Sequence, residues 1–164
     1  MPTRLVLLTA LFLLALAVPA SAVIVPGKGM AGMQLGDCIE RSIDVLGPPD
    51  KTFGKTDVFG FVETYTYVKP GLKLQFRRGP GECLVMDSIR TTTAAERTKE
   101  GVGKGTRKKT LRKQLKGEKC RTFDQPKRIT ICWLGSMTPS KPVTEFRIDS
   151  KGRVNNVRVA IVID

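Results

Sequence analysis

Apolar residues recur along this chain in two rhythms, and the change from one to the other marks its elements. Gly32–Gly36 leads into a segment in which Ile39, Ile43 and Leu46 fall on one helical face. Asp37 and Glu40 have capping-box spacing, and Gly47-Pro48-Pro49 stops the helix firmly. Strand patterns follow. Val58–Val68 is rich in β-branched and aromatic residues, Leu72–Arg77 alternates strictly, and Cys83–Thr93 reads as the next strand.

The second half runs in the same order. Gly101–Gly105 leads into a helix that Thr106 can cap and that reaches about Lys116, with Leu111 and Leu115 on its apolar side and Gly117 ending it. Strands are predicted around Arg128–Leu134, Val143–Ile148 and Val154–Ile163. Gly32 and Gly101 are offset by 69, Phe76 and Phe146 by 70, and Gly81 and Gly152 by 71. Landmarks in one order at nearly one offset predict a tandem duplication. The expected fold class is α+β: a tandem repeat of a helical segment followed by three or four antiparallel strands. The strands would share one curved sheet, with helices on one face. The expected organisation is a leader over 1–22, a first repeat over 23–93, a polar linker over 94–100 and a second repeat over 101–164.

The leader assignment rests on Arg4, an apolar run from Leu5 to Val18, Pro19, and the small residues Ala20 and Ala22 around Ser21. That is the pattern of a secretory signal peptide cut after Ala22. The run is shorter than the ~20 residues of a spanning helix. No Cys follows the cut, which argues against a lipid anchor, and no later stretch could cross a membrane. Export makes disulfides the default reading of Cys38, Cys83, Cys120 and Cys132. Four Cys allow three pairings. Local geometry favours Cys120–Cys132, which leaves Cys38–Cys83. A thiolate metal site is disfavoured because no C-x-x-C occurs.

Gly32–Pro49, a Gly-x-x-Leu-Gly followed by a capped helix ending in Leu-Gly-x-Pro, resembles the repeat of the β-lactamase inhibitory protein family. It also resembles the small outer-membrane assembly lipoproteins that share that fold. The resemblance implies a secreted, two-repeat protein whose curved sheet grips a protein partner. Cys120 after the second helix, with Cys132 in the next strand, looks like the family's second disulfide. The departures are Ser42, where the family helix usually has Val or Leu, Cys38 in place of Ser or Thr, and Cys83 as its partner.

The chain carries a formal +13. Arg97–Arg121 holds 11 Lys or Arg and two Glu. Lys108, Lys109, Arg112, Lys113 and Lys116 form a stripe opposite Leu111 and Leu115, and Lys104 precedes it. This is a candidate patch for an anionic surface, whether envelope polymer, acidic lipid head groups or nucleic acid; a solvated face is the blander account. Nucleic acid is disfavoured as a target, because few aromatic residues interleave the charges.

Phe59, Phe61, Tyr65 and Tyr67 are a candidate protein-contact face, with a core stripe as the alternative. Trp133, beside Cys132, is read as packing on the disulfide. With no His, no paired carboxylates and no His beside Ser42, Ser88 or Ser136, no catalytic residue, metal site or cofactor is predicted. Gly101–Gly105 lacks the full phosphate-loop pattern and is read as a turn. The expected function is a secreted, non-catalytic protein-binding module, inhibitor-like, whose partner is an extracellular or envelope protein. The alternative is an envelope-associated polyanion binder acting through residues 104–116.

Overall fold

The computed structural model describes residues 23–79, 83–124 and 128–163. The leader over 1–22 lies outside the described residues. Three short strands open the described chain: β1 (Val23–Ile24), β2 (Gly29–Met30) and β3 (Met33–Gln34). Helix α1 (Ile39–Leu46) follows, then β4 (Lys51–Asp57), β5 (Gly60–Tyr67), β6 (Leu72–Arg78) and β7 (Leu84–Thr91). After β8 (Arg97–Thr98) come α2 (Lys108–Gln114), β9 (Lys119–Phe123), β10 (Ile129–Gly135), β11 (Pro142–Ile148) and β12 (Val154–Ile161).

Eight strands form one antiparallel sheet in the order β4-β5-β6-β7-β12-β11-β10-β9. This overturns the expected α+β tandem repeat. The chain is mostly β, and its two helices have only 8 and 7 residues. The physical reason is that the helices are too short to form a layer of their own, so the sheet, joined through the β7–β12 pairing in which Ile89 meets Val159 and Arg90 meets Arg158, is the framework. Phe76 and Phe146 are both fully buried in a single core.

That core lies on one face of the sheet. Tyr67, Leu72, Leu74, Phe76, Met86, Ile89, Val157, Val159 and Phe146 point into it from the strands. Ile24, Met30 and Met33 from the short strands, and Ile39, Leu46, Leu111 and Leu115 from the helical segments, cover it. Burying a side chain the size of Phe76 or Phe146 contributes about 2–3 kcal/mol. The opposite face carries no packed helix or short strand among the described residues.

Several local expectations change. In α1 the buried residue is Ser42, at 0% exposure, while Ile43 is 43% exposed. The Tyr67 hydroxyl, which donates to the Gly47 carbonyl at 3.1 Å with the Ser42 carbonyl 3.4 Å away, explains the choice: the helix turns its smallest side chain toward that ring. Asp37 does not cap α1; its Oδ2 accepts the Gln34 N–H at 2.8 Å, and Cys38 precedes the helix without a side-chain cap. Thr106 likewise accepts the Gly103 N–H at 3.1 Å, and Arg107 takes the capping position.

The polar stretch read as a linker is packed. β8 pairs parallel with β1, and Glu96 and Thr98 are buried. Two strands escaped the pattern altogether: β4 and β9, the two edges of the sheet, almost wholly exposed. Lys51, Lys55, Lys119 and Arg121 on these edges discourage pairing with another chain.

Both disulfides have the favoured pairing, Cys38–Cys83 and Cys120–Cys132. They suit an oxidising compartment. Among the described residues no helix is long and apolar enough to cross a membrane.

Candidate functional site

Strand register builds a continuous line of side chains across the open face. Lys51 sits opposite Thr66, Thr66 opposite Lys73, and Lys73 opposite Arg90. Arg90 faces Arg158, Arg158 faces Glu145, Glu145 faces Trp133, and Trp133 faces Lys119. Directly paired residues share a face, so this row crosses all eight strands on the side away from the core. Arg147, paired with Asn156 and Ile131, lies one step along on the same face.

The row is unevenly neutralised. Arg158 Nη1 stands 3.6 Å from Glu145 Oε2, and its Nε is buried without a hydrogen-bond partner. Arg90 is half-buried and has no ion pair among the described residues. Burial first, and then the Arg158 and Arg147 charges, pull Arg90 below the usual arginine value; Glu145 works against them. Lys73 adds a further cation directly opposite.

Beside the row, Arg77 is fully engaged. Its Nη1 and Nη2 donate to the two oxygens of Asp57 at 2.8 Å each, and its Nε donates to Asp87 Oδ2 at 2.6 Å. The Arg77 hydrogen bond holds Asp57 at about 2, below the carboxylate range, despite an opposing contribution from desolvation. Burial pushes Asp87 up in spite of Arg77, because its Oδ1 is buried with no partner. Arg77, Phe59, Met137, Val143, Glu145 and Arg158 help line a cleft of about 320 Å³ at this end of the face. The Phe59 ring lies 6.0 Å from the Arg77 guanidinium carbon.

The four aromatics expected to form a contact face do not lie together. Tyr67 is in the core, bonded to the helix, and Tyr65 is half-buried with its ring edge-on to Phe76 at 5.3 Å. Phe61 is 42% exposed at the sheet edge, where it lies over Gly54; a Cβ on Gly54 would meet its ring at 2.9 Å. Phe59, 51% exposed, belongs to the cleft on the open face. Strand alternation explains the split: Phe61, Tyr65 and Tyr67 share the core side of β5, whereas Phe59 precedes the strand. Trp133 also differs from its reading. Cys132 points into the core, so Trp133, next in the strand, points the other way.

The basic stripe of α2 is exposed. Lys108, Lys109, Arg112 and Lys113, with Glu118, line a wide and shallow hollow of about 650 Å³. One of its cations is already committed: Arg112 Nε donates to Glu118 Oε1 at 3.0 Å. Lys104, outside the hollow, donates from Nζ to the Thr92 carbonyl at 2.6 Å. Lys116 lies apart, beside Leu115 and Gln114. Cys38, Cys83 and Glu40 are close enough to suggest a metal site, but both sulfurs are bonded to each other and offer no thiolate.

The row from Lys73 to Arg147 is not marked in the sequence, where each cation is a lone polar residue between buried ones, and its one signal is the outward position on each alternating strand. The α2 stripe has the higher charge density along the chain.

No protein-family model matches the sequence, and no curated protein matches it. Among solved structures, a DUF4309 family protein (YjgB) from Bacillus subtilis subsp. subtilis str. 168 is similar, at 14% identity with a TM-score of 0.50. The match covers 82% of this chain and 88% of that one. The likeness is one of fold alone and carries no functional residue across.

Proposed function

We propose that this protein is an exported, non-catalytic binding module that meets a protein partner through the open face of its sheet. The observation that carries this reading is the cross-strand row, which sets Arg90 beside Arg158, and Trp133 two strands further on, on the face opposite the core. Arg and Trp are enriched where protein contacts concentrate their energy. The cleft beside Phe59 and Val143 adds apolar surface next to the charges. Two disulfides keep the framework preorganised, which reduces the ordering cost of binding. The resemblance of Gly32–Pro49 to the β-lactamase inhibitory protein repeat points the same way.

The candidate nucleophiles support the non-catalytic part. Ser42 donates to the Ile39 carbonyl, Ser88 to Gln75 Oε1 and Ser136 to Thr138 Oγ1, none of them a base. The carboxylates of Asp57, Asp87 and Glu145 are engaged by arginines.

The test is capture from envelope and secreted fractions with oxidised 23–164, washed at low and then high salt. Exposed charge contacts weaken over that range, as the Debye length falls from ~10 Å at 0.1 M to ~3 Å at 1 M. The expected result is a protein retained at high salt and lost with Trp133→Ala in a folded variant. Retention unchanged by Trp133→Ala would overturn the choice of face. The polyanion reading keeps one observation in its favour, the hollow shared by Lys108, Lys109 and Lys113. It expects anionic polymer that washes off with salt and is no longer captured when Lys109 and Lys113 are replaced by Glu.

A further inference from the structure

We infer that the middle of the open face receives an extended acidic segment of the partner protein, its carboxylates seated among Lys73, Arg90 and Arg158. This rests on the open face being the contact surface, and adds the chemistry of what it receives.

Arg90 stands directly between two cations, Lys73 on one side and Arg158 on the other. Like charges opposite one another weaken a sheet, and a partly buried cation without a partner costs more than an exposed one. Among the described residues Arg158 has one ion pair, the 3.6 Å contact to Glu145, and Arg90 has none. An incoming carboxylate supplies the counter-charge that Arg90 lacks, and guanidinium and carboxylate pair through two parallel hydrogen bonds.

Spacing points to an extended segment. Neighbouring strands stand about 4.8 Å apart, so Lys73 to Arg158 spans about 10 Å across the row. In an extended peptide, side chains two residues apart project from one side at about 7 Å. Two carboxylates at i and i+2 therefore fall within the stretch held by the three cations.

The rest of the row selects a protein over a uniform polyanion. Glu145 comes next, a fixed negative charge that repels a densely charged polymer. Trp133 follows, an indole suited to an uncharged side chain of the same segment. Where the row is basic the partner is acidic, and where it is acidic and aromatic the partner carries a neutral residue.

The probe is a blocked nine-residue peptide alternating Thr and Glu, compared with its Gln counterpart, titrated at low salt into the oxidised protein. NMR of the arginine Nε–H signals reports the site. The expected result is perturbation at Arg90 and Arg158, with the Gln peptide weaker by about tenfold or more. Arg90→Gln and Lys73→Gln should each weaken the Glu peptide by a factor of roughly ten. Lys73 is exposed, so its variant stays informative if Arg90→Gln fails to fold. Removing charge at Lys99 and Lys151 should leave the titration unchanged.

Equal binding of the Gln peptide would overturn the inference. So would folded Arg90→Gln and Lys73→Gln variants that bind as before, or perturbations confined to the Lys108–Lys113 hollow. Polyphosphate of equal charge that binds Arg90 as tightly would overturn the protein assignment. If the Glu peptide fails but Trp133→Ala still abolishes partner capture, the carboxylate chemistry falls and the face stands. If Trp133→Ala leaves capture intact, the face falls as well.

Discussion

Arg77 and Asp57 meet edge to edge, with Nη1 and Nη2 each 2.8 Å from a different carboxylate oxygen. The pair joins the end of β4 to β6 across β5, and so ties the exposed edge strand to the interior of the sheet. The Arg77 hydrogen bond depresses Asp57 to about 2. A carboxylate whose folded value lies below its unfolded one stabilises the fold above the unfolded value. That stability is lost as pH falls through the folded value. Unfolding by urea should therefore become easier between about pH 4 and about pH 2. Asp57→Asn should flatten that limb of the profile, and an unchanged slope in the variant would show that the pair contributes nothing.

Glu96 should behave in the opposite sense. Its side chain is 2% exposed, Oε2 has no partner, and burial raises its carboxyl above the ordinary range. An acid with a raised folded value costs stability wherever it must ionise, and the cost vanishes once acid protonates it. Glu96→Gln should raise the urea midpoint at neutral pH, with the gain shrinking as pH falls toward the unfolded glutamate value. A lower midpoint at neutral pH would contradict the buried, unpartnered carboxylate.

Tyr67→Phe should cost about 1 kcal/mol, because the hydroxyl that reaches the Ser42 and Gly47 carbonyls is removed from a buried site. Ser42→Leu, which would restore an ordinary apolar helix pattern, should destabilise by roughly 1–3 kcal/mol through overpacking. Equilibrium denaturation measures both. A stabilising Ser42→Leu would mean that the space beside Tyr67 is larger than the contacts indicate.

Removing the disulfides should separate their contributions. Cys38–Cys83 closes a span of 45 residues and Cys120–Cys132 one of 12. Chain entropy assigns the long loop about 4 kcal/mol and the short one about 3. Paired Cys→Ala variants should lower the melting temperature in that order. Equal losses would point to contributions other than loop entropy.

Much of the core was legible in the sequence, and the reason is periodicity. β6 buries Leu72, Leu74 and Phe76 on every second residue, and that alternation can be read without coordinates. β4 and β9 bury almost nothing, so no alternation marks them, and their edge positions follow from pairing alone. In α1, Ile43 looked like a core residue and Ser42 did not. The contact that decides between them comes from Tyr67, distant in sequence. The candidate site was less legible still, because Lys73, Arg90, Arg158 and Arg147 become neighbours only through register.

The sequence by itself determined much of the core, which strands alternate, where Gly47 ends α1, and that the four Cys should pair. These are local matters, set by the chemistry of near neighbours. Only the tertiary structure decided that β7 and β12 are the strands that meet, which strands lie at the sheet's edges, and which cations share the open face. Those outcomes depend on pairing between distant strands, where a shift of one residue would carry every side chain to the other face. The same register that buries Ile89 against Val159 also sets Arg90 beside Arg158.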